Sequence, residues 1–247
     1  MEELIYKLKA IRLSGMTQKL NIRLAEAAAN DLSYLQFLNN LIEDELTVRQ
    51  DRLLNRRLKQ ATFPYLKAMA DFDFAFNPSI NKQQIKQLAS AAFVAQKQNI
   101  LLIGPPGVGK THLAVSLGIE AIHKVFSVVY QSVFDIASQI STYQIGLIDN
   151  FLKPPLLIID ELGMKNLNQA ANEMLLEIIH RRYQRTATII ATNRPIEDWG
   201  KIFGDNATAS AILDRFLENI HFIKITGKSY RLKNINTQNE KMIDSIK

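Results

Sequence analysis

The sequence contains no cysteine among its 247 residues. Disulfides and thiolate metal sites are therefore excluded, which fits a reducing compartment. No apolar run approaches the roughly 20 residues that a membrane-spanning helix requires. The opening Met1-Glu-Glu-Leu is acidic, where a secretory leader would be basic and then apolar. These absences lead to the expectation of a soluble, cytoplasmic protein with no membrane partner. Glycine and proline are almost missing from residues 1–60, where Gly15 is the only one of either kind. That stretch carries Leu4, Ile5, Leu8 and Ile11, then Met16, Leu20 and Leu24, at helical spacing, and is read as an all-helical region. Ser33 is a suitable N-cap for a third helix with Leu35, Leu38, Leu41, Ile42 and Leu46. Its end holds Arg49, Arg52, Arg56, Arg57 and Lys59 against Asp51 alone. This is either a solvated helix face or a surface for nucleic-acid phosphates or a partner.

Charge of one sign is in modest excess: 30 Lys and Arg against 24 Asp and Glu give +6, which favours an anionic partner without identifying one. With 47% hydrophobic residues there is material for one large core beside the helical appendage. The strongest single signal is Gly104-Pro105-Pro106-Gly107-Val108-Gly109-Lys110-Thr111, which reads G-x-x-x-x-G-K-T. It follows the short apolar run 99–103 and precedes a helical pattern with Leu113, Val115, Leu117, Ile119 and Ile122. Strand, glycine loop and helix N-terminus together make a phosphate cradle, in which backbone N–H groups face the anion and the helix end adds partial positive charge. Lys110 is expected on the β- and γ-phosphates and the Thr111 hydroxyl on Mg²⁺. The whole loop, with His112 following it, is the expected seat of ATP.

Downstream, apolar runs of strand length at 126–133, 156–161, 186–192 and 222–226 alternate with helical patterns at 134–149, 168–182 and 207–219. Before the loop, 80–98 reads as one helix. Strands apolar on both faces, separated by helices, indicate a parallel sheet covered on both sides. Leu156-Leu-Ile-Ile-Asp-Glu161 places Asp160 at a strand's carboxyl end, where it reaches Mg²⁺ through the ion's water shell. Glu161 beside it is the expected base or orienting group for the attacking water. Asn193, after a further strand, is positioned to hydrogen-bond the γ-phosphate or that water. Arg215 is read either as a surface ion pair with Asp214 or Glu218, or as a finger supplied across a subunit boundary. The cluster His180-Arg-Arg-Tyr-Gln-Arg185 either complements a helix dipole or forms a DNA or subunit surface. Phe63-Pro64, the run Asp71-Phe-Asp-Phe-Ala-Phe76 and Asn77-Pro78 read as an extended linker whose phenylalanines staple it to the core.

Taken together, G-P-P-G-V-G-K-T, L-L-I-I-D-E-L-G, A-T-N-R-P, I-L-D-R-F and G-K-S-Y-R resemble the AAA+ ATPases, and more narrowly the IstB-like transposition helper proteins of insertion sequences. The resemblance implies an AAA+ P-loop core with sheet order 5-1-4-3-2, a helical N-terminal region and no C-terminal lid domain. It implies Walker A, Walker B and sensor-1 roles for the loop, Asp160 with Glu161, and Asn193. It implies that Arg215 acts in trans within an ATP-dependent oligomer, and it leaves Arg231 as a sensor-2 candidate. The region 134–149 corresponds to an initiator-type insertion. The implied function is an ATPase, using ATP and Mg²⁺, that assembles on double-stranded DNA and regulates a partner transposase. A DnaC-like replicative helicase loader is the nearest alternative, and a small-molecule P-loop kinase a more remote one. The expected layout is a helical region 1–60, a linker 61–80, the ATPase core 81–233 and a flexible tail 234–247.

Overall fold

The computed structural model describes residues 1–140, 147–164, 167–203 and 207–231. The chain forms two compact units, Met1–Arg57 and the part from Leu58 onward. The expected tail, the end of the core at 233 and the middle of the 134–149 helix lie outside the described residues.

The first unit contains α1 (Glu2–Ala10), α2 (Ser14–Ala29) and most of α3 (Tyr34–Gln60). Ser33 caps α3 reciprocally: its hydroxyl accepts from the Gln36 N–H at 3.3 Å, and Gln36 Oε1 accepts from the Ser33 N–H at 2.9 Å. Glycine is required at position 15 because a Cβ there would lie 2.6 Å from the Asp44 carbonyl oxygen and the Glu45 Cα. This close approach lets the buried Glu45 carboxylate accept from the Gly15 N–H at 2.6 Å and the Met16 N–H at 3.3 Å, capping α2 from the neighbouring helix. Arg49 Nε donates to its other oxygen at 2.7 Å. Burial alone would raise the Glu45 carboxyl, but the hydrogen bonds from Arg49, Gly15 and Met16 outweigh it and hold the group below the usual glutamate range. A depressed carboxylate stabilises the fold above its unfolded value and loses that contribution as pH falls through its folded value. The melting-temperature gap between wild type and Glu45→Gln is therefore expected to be full near pH 7 and to shrink steadily below about pH 4. A gap independent of pH in thermal melts of the full chain would contradict this.

The second unit is built on five parallel strands: β1 (Asn99–Ile103), β2 (Val128–Ser132), β3 (Leu156–Leu162), β4 (Ala187–Thr192) and β5 (Ile220–Lys224). They lie in the order β2-β3-β4-β1-β5, which is the expected 5-1-4-3-2 read from the other edge. Side chains alternate between the two faces. Leu101, Leu157, Ile159 and Ile190 join the cluster formed with Phe151, Leu175, Ile179, Trp199 and Phe216. Ile158 points to the other face, where its Cδ1 would touch a Cβ placed on Gly118 of α6 (Lys110–His123). Nine residues of α6 are buried. Each large apolar side chain among them contributes about 1.5–3 kcal/mol, which fixes the helix that starts at the glycine loop.

The other helices are α4 (Lys82–Leu88), α5 (Ala92–Ala95), α7 (Val133–Ile140), α8 (Leu147–Leu152), α9 (Gln169–Arg182), α10 (Trp199–Phe203) and α11 (Ala207–Glu218). The single helix expected over 80–98 is broken at Ala91, whose φ is +58°. The break aims Phe93 and Val94, both nearly inaccessible, into the core. The last strand begins two residues earlier than expected, because Asn99 pairs with Ile220 and its N–H donates to the Asn219 carbonyl at 3.0 Å. The segment 61–80, expected as a linker, belongs to the second unit, with Ala61, Phe72, Asn77 and Ile80 buried.

The cluster 180–185 is expected either to complement a helix dipole or to form a DNA or subunit surface, and Arg182 does not belong to any surface. It is 2% exposed and donates to Thr188 Oγ1 at 2.9 Å and to the carbonyls of Phe151, Pro154 and Ala187 at 2.5, 3.0 and 2.5 Å. Burial pulls its guanidinium down to about 9. It ties the end of α9 to the starts of β3 and β4.

Candidate functional site

The glycine loop lies where β1 meets α6, at the carboxyl end of the sheet. Gly109 has φ +103°, and a Cβ there would lie 2.7 Å from the Phe72 ring. Glycine is needed both for this backbone conformation and for the approach of the aromatic ring. The loop leads into α6, whose first N–H groups have no acceptor within the helix and are directed at the loop. Lys110 Nζ donates to the carbonyls of Gly104 and Pro105 at 2.7 and 2.8 Å, so the ammonium sits over the loop it is expected to serve. Burial lowers its pKa, and the nearby Asp160 opposes that shift.

A cavity of about 300 Å³ opens beside the loop. Gly107 to His112 form one side, and Tyr65, Lys67, Phe72 and Asn77 form another. The volume is at the lower end of the range for small-ligand sites. Asn77 Nδ2 donates to the Val108 carbonyl at 2.7 Å, which fixes the loop from the 61–80 segment. His112 Nε2 lies 3.1 Å from the Ala68 carbonyl, and its ring meets Phe72 edge-on at 5.1 Å. Its side chain thus holds the cavity wall.

The two carboxylates lie among the last residues of β3, and the charge of Asp160 reaches Lys110. Asp160 is 2% exposed, with Oδ1 accepting from the Glu161 N–H at 2.7 Å and Oδ2 from the Tyr130 hydroxyl at 2.9 Å. Burial, then the charge of Asp160, raise the Tyr130 phenol far above its ordinary value, so it remains a donor. The β3–β4 register shifts between Ile159 and Leu162, and within this bulge Glu161 has φ +65°. Such a conformation is uncommon outside glycine and re-aims the side chain where a regular strand would turn it into the core. Burial first, then Asp160 and Asp135, raise the Glu161 carboxyl above the usual range. An elevated carboxylate suits a proton acceptor. Beyond β4, Asn193 Oδ1 is buried and has no hydrogen-bond partner among the described residues. Thr192, directly before it, donates to the Leu162 carbonyl at 2.7 Å, and the Gly104 N–H donates to the Thr192 carbonyl at 3.2 Å. The ends of β1, β3 and β4 therefore bring Gly104, Asp160, Glu161 and Asn193 to the carboxyl end of the sheet.

A family model described as IstB-like ATP binding protein matches residues 6–238. The chain belongs to that family. An ATP-binding protein of insertion sequence IS5376 from Geobacillus stearothermophilus is 35% identical over 239 residues, covering 95% of each chain. Its counterpart of insertion sequence IS21 from Pseudomonas aeruginosa is 35% identical over 238 residues, covering 94% of this chain and 90% of the relative. Among solved structures, DnaI superposes with a TM-score of 0.54 at 21% identity, covering 66% of this chain and 89% of that one. AMPPCP-bound DnaA from Aquifex aeolicus gives 0.53 at 19% identity, covering 73% and 56%. At these identities the two structures speak for the AAA+ fold alone.

In this IstB-like chain Arg215 is not brought to the glycine loop. Its neighbour Phe216 offers a carbonyl to Asn99 Nδ2 at 3.2 Å, at the first residue of β1. The loop lies at the far end of that strand, about 15 Å away by strand rise. Arg215 Nη1 lies 3.4 Å from His180 Nδ1, and its guanidinium lies 6.0 Å from the Tyr183 ring centre. Arg231 does line the cavity, and its charge acts on both Lys110 and Glu161. The sequence reading missed Tyr65, Asn77 and Tyr130. Only Asn77-Pro78 carried a local signal, as a turn.

Among the described residues no group of three His, Asp or Glu side chains could hold a metal by itself. The orphaned Asn193 Oδ1 and the acid pair at the carboxyl end of β3 fit a site completed by a hydrated cation and a nucleotide. No helix among the described residues is long and apolar enough to cross a membrane.

Proposed function

We propose that this chain is an ATP-hydrolysing helper of transposition, which assembles on duplex DNA with ATP and regulates a partner transposase. The observation that carries the proposal is the convergence of the glycine loop, Asp160, Glu161 and Asn193 at the carboxyl end of the sheet in a member of the IstB-like family. The naming of its relatives as ATP-binding proteins of insertion sequences supports transposition over helicase loading. Lys110 and the loop amides hold the triphosphate, with Tyr65, Phe72 and Asn77 beside it. Thr111 and Asp160 hold Mg²⁺, which when bound offsets the charge of the β- and γ-phosphates. Glu161 accepts the proton of the attacking water, and Asn193 orients that water or senses the γ-phosphate. Positioning and electrostatic stabilisation suffice, so no covalent intermediate forms.

Arg215, at the opposite end of the strands from its own loop, acts on the site of a second copy. Its cation stabilises charge that develops during phosphoryl transfer, an effect worth about 10³-fold or more where such fingers act. Subunit mixing tests this. Arg215→Ala and Lys110→Ala each turn over ATP at background rates alone. Mixed together they are expected to recover a measurable fraction of wild-type turnover, because a mixed pair can contain one site with both groups intact. Absence of recovery, with mixed assembly verified, would overturn action in trans. Stimulation of turnover by duplex DNA supports the transposition reading, whereas preference for single strands with tight binding to a replicative helicase would favour a loader.

A further inference from the structure

We propose that Tyr130 is a positioning residue that fixes the metal carboxylate Asp160 with its side chain and holds the residues just after α3, Ala61 and Thr62, with its backbone. The inference rests on the assignment of Asp160 to Mg²⁺ and extends it to a residue on β2 that carries no motif.

The side-chain half is geometric. The Tyr130 hydroxyl donates to Asp160 Oδ2 at 2.9 Å while the Glu161 N–H donates to Oδ1 at 2.7 Å. Engagement of both oxygens fixes the plane of the carboxylate. Each oxygen accepts about two hydrogen bonds, so capacity remains for the water shell of a cation. Partners that orient a ligating carboxylate typically change metal affinity about 10–100-fold when removed.

The backbone half concerns the three residues that follow α3. The Tyr130 N–H donates to the Ala61 carbonyl at 2.8 Å, and the Thr62 hydroxyl donates to the Tyr130 carbonyl at 2.8 Å. The Phe63 ring meets the Tyr130 ring edge-on at 6.3 Å and packs against α6 at Gly118. Ala61 is fully buried, and Thr62 has φ +56°, which is unfavourable for a β-branched residue. Such a conformation persists only where surrounding contacts enforce it. One residue of β2 therefore connects the nucleotide site to the point where the helical front joins the core. A cation that draws on Asp160 Oδ2 acts on the Tyr130 hydroxyl bonded to it, and through the Tyr130 backbone bonds it orders 61–63.

The test uses full-length Tyr130→Phe, which keeps the ring and both backbone bonds and removes only the hydroxyl. Affinity for a fluorescent non-hydrolysable ATP analogue is measured with and without Mg²⁺. The tightening caused by Mg²⁺ is expected to fall about 10-fold, while the affinity without Mg²⁺ stays within about twofold. In an Asp160→Asn background the same change is expected to add less than about twofold, as members of one network are not additive. Amide exchange supplies the second readout: Mg²⁺ with the analogue slows exchange of peptides covering 58–66 and 126–134 in wild type, and this slowing is lost in Tyr130→Phe. Wild-type Mg²⁺ dependence in the variant overturns the positioning role. Equal loss with and without Mg²⁺ shows a merely structural role and also overturns it. Retained slowing in the variant overturns the connection to 61–63. If wild type itself shows no tightening by Mg²⁺, the assignment of Asp160 fails and takes this inference with it.

Discussion

Replacing Glu161 by glutamine is expected to lower ATP turnover at least about 100-fold and to leave ATP affinity within about threefold of wild type. The amide keeps the volume of the side chain and the φ of +65° at this position, so the bulge and the Asp160 contact survive. What is lost is basicity. The carboxyl is raised by burial and by the neighbouring Asp160 and Asp135, which makes it a better proton acceptor than an ordinary glutamate. Binding relies on the loop and Lys110 and is largely separate from that proton transfer. Phosphate release under steady state, paired with equilibrium nucleotide binding, reads the two quantities separately. Unchanged turnover would remove Glu161 from the chemistry. A parallel loss of affinity would make it a structural residue of the loop region.

Lys110→Ala is expected to act on the other quantity, lowering ATP affinity at least about 100-fold, or about 2.7 kcal/mol. The ammonium presently satisfies the carbonyls of Gly104 and Pro105. Those oxygens can take water in the variant, because the loop borders an open cavity. Folding is therefore expected to change little, and removal of a partly buried cation recovers some desolvation cost. Against the triphosphate nothing replaces the missing charge, and charge-assisted hydrogen bonds are about twice as strong as neutral ones. Isothermal titration with ATP, beside a thermal melt of the free protein, checks both halves. Near-normal affinity with normal folding would place the triphosphate elsewhere.

Much of this architecture is legible from residue pattern, because parallel strands buried on both faces are written as short continuous apolar runs. The run Leu156 to Ile159 ending in Asp160 and Glu161 needs no tertiary information to be placed at a strand's carboxyl end. The glycine loop is legible for a related reason: its spacing is dictated by backbone geometry local to eight residues. Tyr130 was not legible, since its partners Ala61 and Asp160 are distant in sequence and its strand pattern is that of any buried aromatic. Arg182 was grouped with Arg181 and Arg185 because the sequence shows only a run of cations at a helix end, while its own donors find the carbonyls of Pro154, just before β3, and Ala187 on β4. The break at Ala91 escaped notice because neither glycine nor proline marks it, and burial of Phe93 and Val94 imposes the turn. The 61–80 segment shows the same limit. Its aromatics pointed to stapling, but only the fold shows Phe72 against Gly109 and Asn77 holding the Val108 carbonyl.

On the proposed function, nucleotide state at the glycine loop governs assembly on duplex DNA. The most direct measurement is electron microscopy of Glu161→Gln with duplex DNA, with and without ATP. Because this variant is expected to bind ATP without turning it over, it should accumulate the assembled state. Ordered oligomers that coat or bend the duplex are expected in the presence of ATP, and none without it. Persistent monomers with ATP bound, or identical assemblies in both conditions, would contradict it.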